Sequence, residues 1–384
     1  MLKVNDDLAR ERAKCTFNVE ELTYFLDGGR DKTLERKERE RMILTKKEEL
    51  FGGVPDEYLS HKEKYENSIR KAVVLFSLHR KIHKLANLLS GLLGSTISQD
   101  GTPFGLHYLM FMPVFMSQAD EEQQRKYLHR ALNCSIIGSY AQTELGHGTF
   151  IRGLETTATY DPSTKEFVLH SPTLTSYKWW PGGLGNTANY CIVIAQLFSK
   201  GESHGIHSFI VQVRDEDTHM PLPGIKLGEI GVKMGLNCID NGFLGFEHVR
   251  IPRTHMLMKH ARILEDGTYV KSKNNKLIYG VMVFARVVIV FDSVNNLAKA
   301  ITVATRYSAV RRQSQLKTGE PELQILDYVT QQDKILPAIA GCYAMKMNSR
   351  RLWDTFNVIN DQLHKGNMEK LGEVSLNSGI KEIE

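Results

Sequence analysis

The chain has 384 residues, 42% hydrophobic and 24% charged, with a formal net charge of +5. This is enough for a substantial core and two or three domains, with no internal repeat and no low-complexity stretch. The small basic excess is no footprint of a nucleic-acid binder: its densest part, Arg30 to Lys47, is interleaved with Asp31, Glu35, Glu38 and Glu40, as on a solvated helix with i,i+4 pairs.

Residues 1 to about 135 read as helical. Leu34 to Phe51 is rich in Lys, Arg, Glu and Leu, all strong helix formers. Ser68 to Leu93 repeats apolar residues with helical rhythm, from Ile69, Val73 and Val74 to Leu85, Leu88 and Leu89. Gly91, Gly94 and Asp100-Gly101-Thr102-Pro103 break it. An apolar segment, Leu106 to Met116, leads into a polar helix over Asp120 to Leu132 whose first turn carries acids, where the helix dipole favours them.

The texture changes at about Ser135. Runs rich in β-branched and aromatic residues predict strands at Leu154 to Tyr160, Glu166 to His170, Tyr190 to Leu197, His207 to Val213, Ile225 to Leu227 and Gly242 to Val249. Asp161-Pro162-Ser163, Pro181-Gly182-Gly183 and Ser199-Lys200-Gly201 are the turns. From about Lys276 helical rhythm returns, in Val281 to Val303 and Leu326 to Asn348. The expected class is α+β: an N-terminal helical domain over 1–135, a β-barrel or sandwich domain over 136–275, and the start of a C-terminal helical bundle over 276–384.

Several functional classes find no support. No unbroken run of about 18 apolar residues is present, so no membrane span is expected; the nearest candidate, Val281 to Val290, is interrupted by Arg286. The start, MLKVNDDLARERAK, is too charged for a signal peptide. Five cysteines without a C-x-x-C argue against a disulfide framework or structural zinc and for a reducing compartment. No Gly-x-Gly-x-x-Gly follows a strand, so a Rossmann turn is not indicated.

Three segments could carry chemistry. Gln142-Thr143-Glu144 and Gly146-His147-Gly148 combine an amide and a hydroxyl with glycines that let main-chain amides approach a flat ligand. On spacing alone, a loop of turn-formers is the better reading. His147 has no second histidine or carboxylate at ligand spacing and reads as a loop residue. Lys178-Trp179-Trp180-Pro181-Gly182-Gly183 could wall off a planar cofactor from water, although an aromatic cluster capping a hairpin is locally commoner. Arg306, Arg311 and Arg312 offer forked donors for a pyrophosphate; composition alone favours a solvated helix end.

Taken together, these segments resemble the peroxisomal acyl-CoA oxidases of the acyl-CoA dehydrogenase superfamily. The resemblance runs almost end to end, through Asp7-Leu8-Ala9-Arg10-Glu11-Arg12, Leu26-Asp27-Gly28-Gly29, YAQTELGHGT (140–149) and RGLETTATYDP (152–162). It continues through SPTLTSYKWWPGGLG (171–185), PLPGI (221–225), DNGFL (240–244), MLMKHARILEDGTYVK (256–271) and RYSAVRRQS (306–314). It implies FAD, with Thr143 and Gly182 at flavin-contact positions and Gln142, Gly146 and Gly148 in the same loop. It also implies that Arg311 reaches the FAD pyrophosphate of a neighbouring subunit and that Gln331 sits at a comparable cross-subunit position, hence a homodimer. The implied substrates are acyl-CoA and O2, the products trans-2-enoyl-CoA and H2O2, and the implied compartment the peroxisome.

One departure limits this expectation. The family's catalytic glutamate follows a Gly-His-Gly segment in a Glu-Gly-Glu-Asn-type motif, and neither occurs here, so it is expected beyond Glu384. Some related dehydrogenases place their base beside an arginine resembling Arg286, where this chain has Ala285. The final Lys381-Glu382-Ile383-Glu384 is not a Ser-Lys-Leu-type address. Besides an acyl-CoA oxidase, two readings stay open: a catalytically incomplete flavin- or acyl-CoA-binding homologue, and an acyl-CoA dehydrogenase using an electron-transferring flavoprotein. His255, in Pro252-Arg253-Thr254-His255, departs from the family's usual Arg-x-Asn and reads as a surface turn change without consequence.

Overall fold

Asn5 and Asn18 open the first two helices by accepting, with their side chains, from two amides each that the first turn leaves free. The computed structural model describes residues 5–79, 100–271 and 280–364. Helix α1 spans Asp6–Ala13, α2 Val19–Asp27, α3 Arg30–Leu44, α4 Lys47–Phe51 and α5 His61–His79. The helix expected over Leu34 to Phe51 is thus two, parted near Thr45, whose hydroxyl turns back onto the Met42 carbonyl. The helix expected over Ser68 to Leu93 starts earlier, at His61, and its portion after residue 79 lies outside the described residues.

A π-helical turn, His107–Phe111, runs into α6, Met112–Gln118, over the apolar segment Leu106 to Met116. Helix α7 is Glu121–Leu132, with the predicted acids, Glu121 and Glu122, in its first turn; it opens on a cap not foreseen, in which Asp120 accepts from the Gln123 amide and the Gln123 side chain accepts in return from the Asp120 amide.

The described residues form two compact units, each treated by itself: residues 48–79, 100–271 and 280–285 in one, residues 5–47 and 286–364 in the other. The first contains all the strands: β1 Gly138–Ala141, β2 Thr157–Asp161, β3 Glu166–His170, β4 Lys178–Trp179, β5 Tyr190–Ser199, β6 Glu202–Gln212, β7 Ile225–Glu229, β8 Gly242–Phe246, β9 Val249–Pro252, β10 Arg262–Ile263 and β11 Tyr269–Val270. The larger sheet has the order β1-β5-β2-β3-β9, with β6 antiparallel on the other edge of β5; a smaller one has the order β4-β8-β7. The run predicted over Gly242 to Val249 is two strands in different sheets, because the chain bends at His248, with φ +52°.

Strand β5 organises this unit. Cys191, Val193, Ala195 and Leu197 face one core, with Phe167, Leu169, Phe209 and Val211. Tyr190, Ile192 and Ile194 face a second, with Phe111, Phe115 and Tyr127 from the helices. Both faces are covered, so β5 reads as a continuous apolar run. Along one edge, β1 pairs with Tyr190 to Val193 and β2 with Gln196 to Phe198, both parallel. The chain leaves the sheet between these two ladders, over residues 142–156, and that excursion contains YAQTELGHGT's C-terminal part.

The long helices of the second unit are α8, Gly280–Val310, from residue 286 onward, and α9, Val329–His364. Phe291, Trp353 and Phe356 pack ring against ring, and the Lys346 ammonium lies 4.8 Å from the Phe291 ring centre. By length and composition, Phe284–Val310 is apolar enough to cross a membrane, with mean hydropathy 1.5 over its most apolar 18 residues. This average does not need an unbroken apolar run, since isolated polar residues lower it only in part. A core helix of a soluble protein can have the same length and composition.

Candidate functional site

The site starts from the way β1 is seated. His107, buried in the π-helical turn, accepts from the Gly138 amide through Nδ1 at 2.9 Å and donates from Nε2 to the Ala131 carbonyl at 3.0 Å. That pairing requires the neutral Nε2–H tautomer, and burial pulls the imidazole down to about 4. Gly138 is needed for a second reason: a Cβ there would lie 2.1 Å from the Phe111 ring. The strand is therefore wedged against the helices with no room for a side chain at its first residue.

After Ala141 the chain leaves the sheet, and a buried ion pair fixes its path. Glu144 Oε1 and Lys178 Nζ are 2.9 Å apart, with both side chains 0% exposed. The carboxylate also accepts from the amides of Glu155 and Thr156 and the Thr156 hydroxyl, at 2.6–2.9 Å. The ammonium also donates to the carbonyls of Gln142 and Ile194, at 3.2 and 2.7 Å. Ile194 pairs with β6 on one edge of β5, but on the other it falls in the gap between the β1 and β2 ladders, where Lys178 takes up its carbonyl. Burial lowers the Lys178 ammonium to about 8, with Glu144 opposing the shift. Sequence reading missed this pair, because neither residue signals burial locally.

The loop 142–149 then lies against the 175–182 segment. The Trp179 amide donates to the Thr143 carbonyl at 2.9 Å, the Leu145 amide to Tyr177 at 2.8 Å, and the Gly146 amide to Thr175 at 3.0 Å. The Ser139 hydroxyl, on β1, donates to the Gly182 carbonyl at 2.9 Å. Thr143, Gln142 and Gly182 are thus brought to one edge by bonds across two segments. Trp179 stacks on Phe243, whereas Trp180 is 53% exposed and has φ +82°, strained for a bulky residue. Its amide donates to the Gly242 carbonyl and its carbonyl accepts from Asn241 Nδ2 at 2.6 Å, which hold that conformation.

The other predicted positions divide. A Cβ on Gly146 would come 2.8 Å from Thr175, and one on Gly182 3.1 Å from Ile239, so the protein's own packing constrains both; one on Gly148 would meet nothing within 4 Å. His147 does have a carboxylate beside it, Glu155 Oε1 at 3.0 Å, which sequence spacing had not indicated. Among the described residues no three His, Cys, Asp or Glu side chains cluster as metal ligands do. His255 is no free surface turn: its ring is half-buried and meets the Tyr127 hydroxyl through Nε2 at 3.2 Å. Arg311 and Gln331 belong to the second unit. Arg311 is exposed and Gln331 donates to the Ser308 hydroxyl at 2.9 Å. Arg312 is engaged by a two-pronged contact to Asp7, at 3.1 and 2.8 Å.

Comparison with known proteins decides the lineage. Residues 18–137 match the family profile described as acyl-coenzyme A oxidase N-terminal, and residues 279–383 that of the acyl-CoA oxidase C-alpha1 domain; together they cover more than half of the chain. The chain belongs to the acyl-CoA oxidase family. Acyl-coenzyme A oxidase 1 of Drosophila melanogaster is 48% identical over 97% of this chain and 56% of its own length. Peroxisomal acyl-coenzyme A oxidase 1 of Cavia porcellus is 47% identical over 98% of this chain and 57% of its own. A solved structure of acyl-CoA oxidase-2 from Caenorhabditis elegans, bound with FAD, ascaroside-CoA and ATP, superposes with a TM-score of 0.92. It is 39% identical and covers 99% of this chain and 58% of that one. The chain thus spans a little over half the length of these acyl-CoA oxidases, and the α+β layout of helices, β-region and helices is theirs.

Proposed function

We propose that this chain is the flavin-holding portion of an FAD-dependent acyl-CoA oxidase of peroxisomal fatty-acid β-oxidation. The overall reaction converts an acyl-CoA and O2 into trans-2-enoyl-CoA and H2O2. The observation that carries this reading is the joining of the 139–149 and 178–182 segments, through the Thr143–Trp179 and Ser139–Gly182 bonds. The name of the Cavia porcellus relative supports the compartment, and the ligands of the Caenorhabditis elegans structure support the cofactor and a CoA-thioester substrate.

The residues at that edge fit a flavin. The Thr143 hydroxyl and the Gln142 side-chain NH2 have no protein partner among the described residues, although both side chains are half-buried; Gln142 Oε1 already accepts from Tyr140. Asn241 Oδ1 is a buried acceptor with no partner, on the same residue that holds Trp180. Donors and an acceptor beside an exposed flat indole suit a planar heterocycle carrying carbonyls and an N–H. Bound FAD supplies the acceptor for the β-hydrogen with its electron pair and the route by which both electrons reach O2.

In this scheme Gln142 and Thr143 donate to the ring carbonyl edge. Trp180 shields the ring from water, and the main chain at Gly182 lies against it. Gly146 and Gly148 keep the loop low. Arg311 and Gln331 reach the pyrophosphate in a second copy, which makes the assembly a homodimer. No residue of this chain is assigned the abstraction of the α-proton.

Thr143→Ala tests the cofactor arm. Loss of one hydroxyl contact, about 1 kcal/mol, weakens FAD binding about fivefold, read by quenching of flavin fluorescence. An unchanged affinity contradicts the assignment. In a protein containing this chain, one H2O2 formed per enoyl-CoA supports the oxidase; reoxidation of the substrate-reduced flavin only by an electron-transferring flavoprotein, without H2O2, supports a dehydrogenase.

A further inference from the structure

The turn that carries Gly182 joins β4 to β5, and its second half, residues 184–189, is gripped by two buried opposite charges. Arg214 is 4% exposed, and its guanidinium donates to the carbonyls of Ala188 at 2.5 Å, Gly185 at 2.5 Å and Leu184 at 3.1 Å. Asp240 is 1% exposed, and its Oδ2 accepts from the amides of Asn186 at 2.7 Å and Thr187 at 2.8 Å. The cation takes the turn's carbonyls and the anion takes its amides. Burying either charge is costly without such partners, and the turn they hold is itself buried, with Leu184, Thr187, Ala188 and Asn189 each 9% exposed or less.

Three more contacts brace the same segment. The Tyr65 hydroxyl on α5 meets Thr187 Oγ1 at 2.9 Å, Glu229 Oε2 accepts from Asn186 Nδ2 at 2.9 Å, and His61 Nε2 meets Glu229 Oε1 at 2.5 Å. The Gly185 amide donates to the Asp240 carbonyl at 3.0 Å, and the next residue, Asn241, holds the Trp180 carbonyl. Asp240 and Asn241 thus connect the grip directly to the strained Trp180 and, one residue beyond Pro181, to Gly182.

From this geometry we infer that Arg214 and Asp240 are positioning residues that set the height of the Trp180–Gly182 turn against the flavin. The inference rests on the proposed flavin site. Neither residue touches the cofactor; each acts through the backbone of 184–188. The grip must be rigid because Gly182 presents main chain, which has no side-chain rotamer with which to adjust.

The test uses the full chain. Arg214→Ala and Asp240→Asn are compared with wild type by FAD affinity, by thermal midpoint, and by hydrogen exchange of amides in 182–188. The expected result is a loss of FAD affinity of at least about tenfold, with faster exchange confined to that segment. Methylguanidinium at millimolar concentration restores much of the affinity of Arg214→Ala and none of that of Asp240→Asn. FAD affinity within about twofold of wild type in both variants overturns the inference. So does a loss accompanied by faster exchange throughout β5 and β6, which marks general fold support. If Arg214→Ala is insoluble, the near-isosteric Asp240→Asn decides by the same criteria. If the wild-type chain binds no FAD, the proposed function fails by itself. Exchange in 182–188 then still decides whether the grip exists, and unchanged exchange overturns it.

Discussion

Lys178 carries its charge where no water reaches, and Glu144 is the only carboxylate that hydrogen-bonds it among the described residues. Lys178→Met removes the cation and leaves Glu144 buried with donors but no countercharge. We expect a loss of about 3–5 kcal/mol in urea unfolding, because an uncompensated buried charge is the costliest product of breaking such a pair. A loss under about 1 kcal/mol contradicts the role given to the pair. Residue chemistry was legible in the sequence where it is written locally. YAQTELGHGT and KWWPGG could be singled out as segments, and the start of α7 from the acids of its first turn, but not the Asp120–Gln123 cap. Glu144–Lys178 could not, since 34 residues separate the partners and only the antiparallel pairing of 144 with 178 brings them together. His255 shows the same limit, because its partner Tyr127 lies 128 residues away on α7.

At the scale of elements, the junction of β1 with the helices is the most exacting fit. Gly138→Ala drives a methyl into the buried Phe111 ring, and we expect it to cost about 1–3 kcal/mol or more, seen as a lower thermal midpoint. A midpoint equal to wild type contradicts the close approach. The same junction sets a pH dependence. His107 takes up its proton at about 4 when folded, against 6.5 for the free side chain. The unfolded chain therefore binds more protons in that window. Stability contributed by the neutral ring is complete above pH 6.5 and is lost as pH falls towards 4, by up to about 1.4 kcal/mol per pH unit. His255, also lowered by burial to about 4, acts in the same direction. Melts across that range should fall with acid, and His107→Gln should be less stable at neutral pH with a flatter slope. A slope equal to wild type contradicts the burial argument. Element types were readable from periodicity, with β3 matched end to end. The split of β8 from β9 was not, because a bend at one positive-φ histidine leaves the alternation of apolar residues unbroken.

At the scale of the molecule, the sequence of textures, helical then β then helical, predicted the layout shared with the acyl-CoA oxidases. What it could not predict is how much of this fold depends on buried charge. Lys178, Glu144, Arg214 and Asp240 are all buried, and all bond the backbone or each other around the two segments joined by the Thr143–Trp179 and Ser139–Gly182 bonds. A core built from apolar contacts alone would not need them there. Their concentration at that edge is what a preorganised binding site requires, since main-chain groups facing a ligand must be held before it arrives. The central claim is therefore that these 384 residues hold a flavin. The most direct measurement is titration of the purified, flavin-free chain with FAD, followed by fluorescence quenching and gel filtration. The account predicts saturable binding of one FAD per chain, with the flavin co-eluting with protein. Free FAD eluting apart from a folded chain, with no quenching at any concentration, would contradict it.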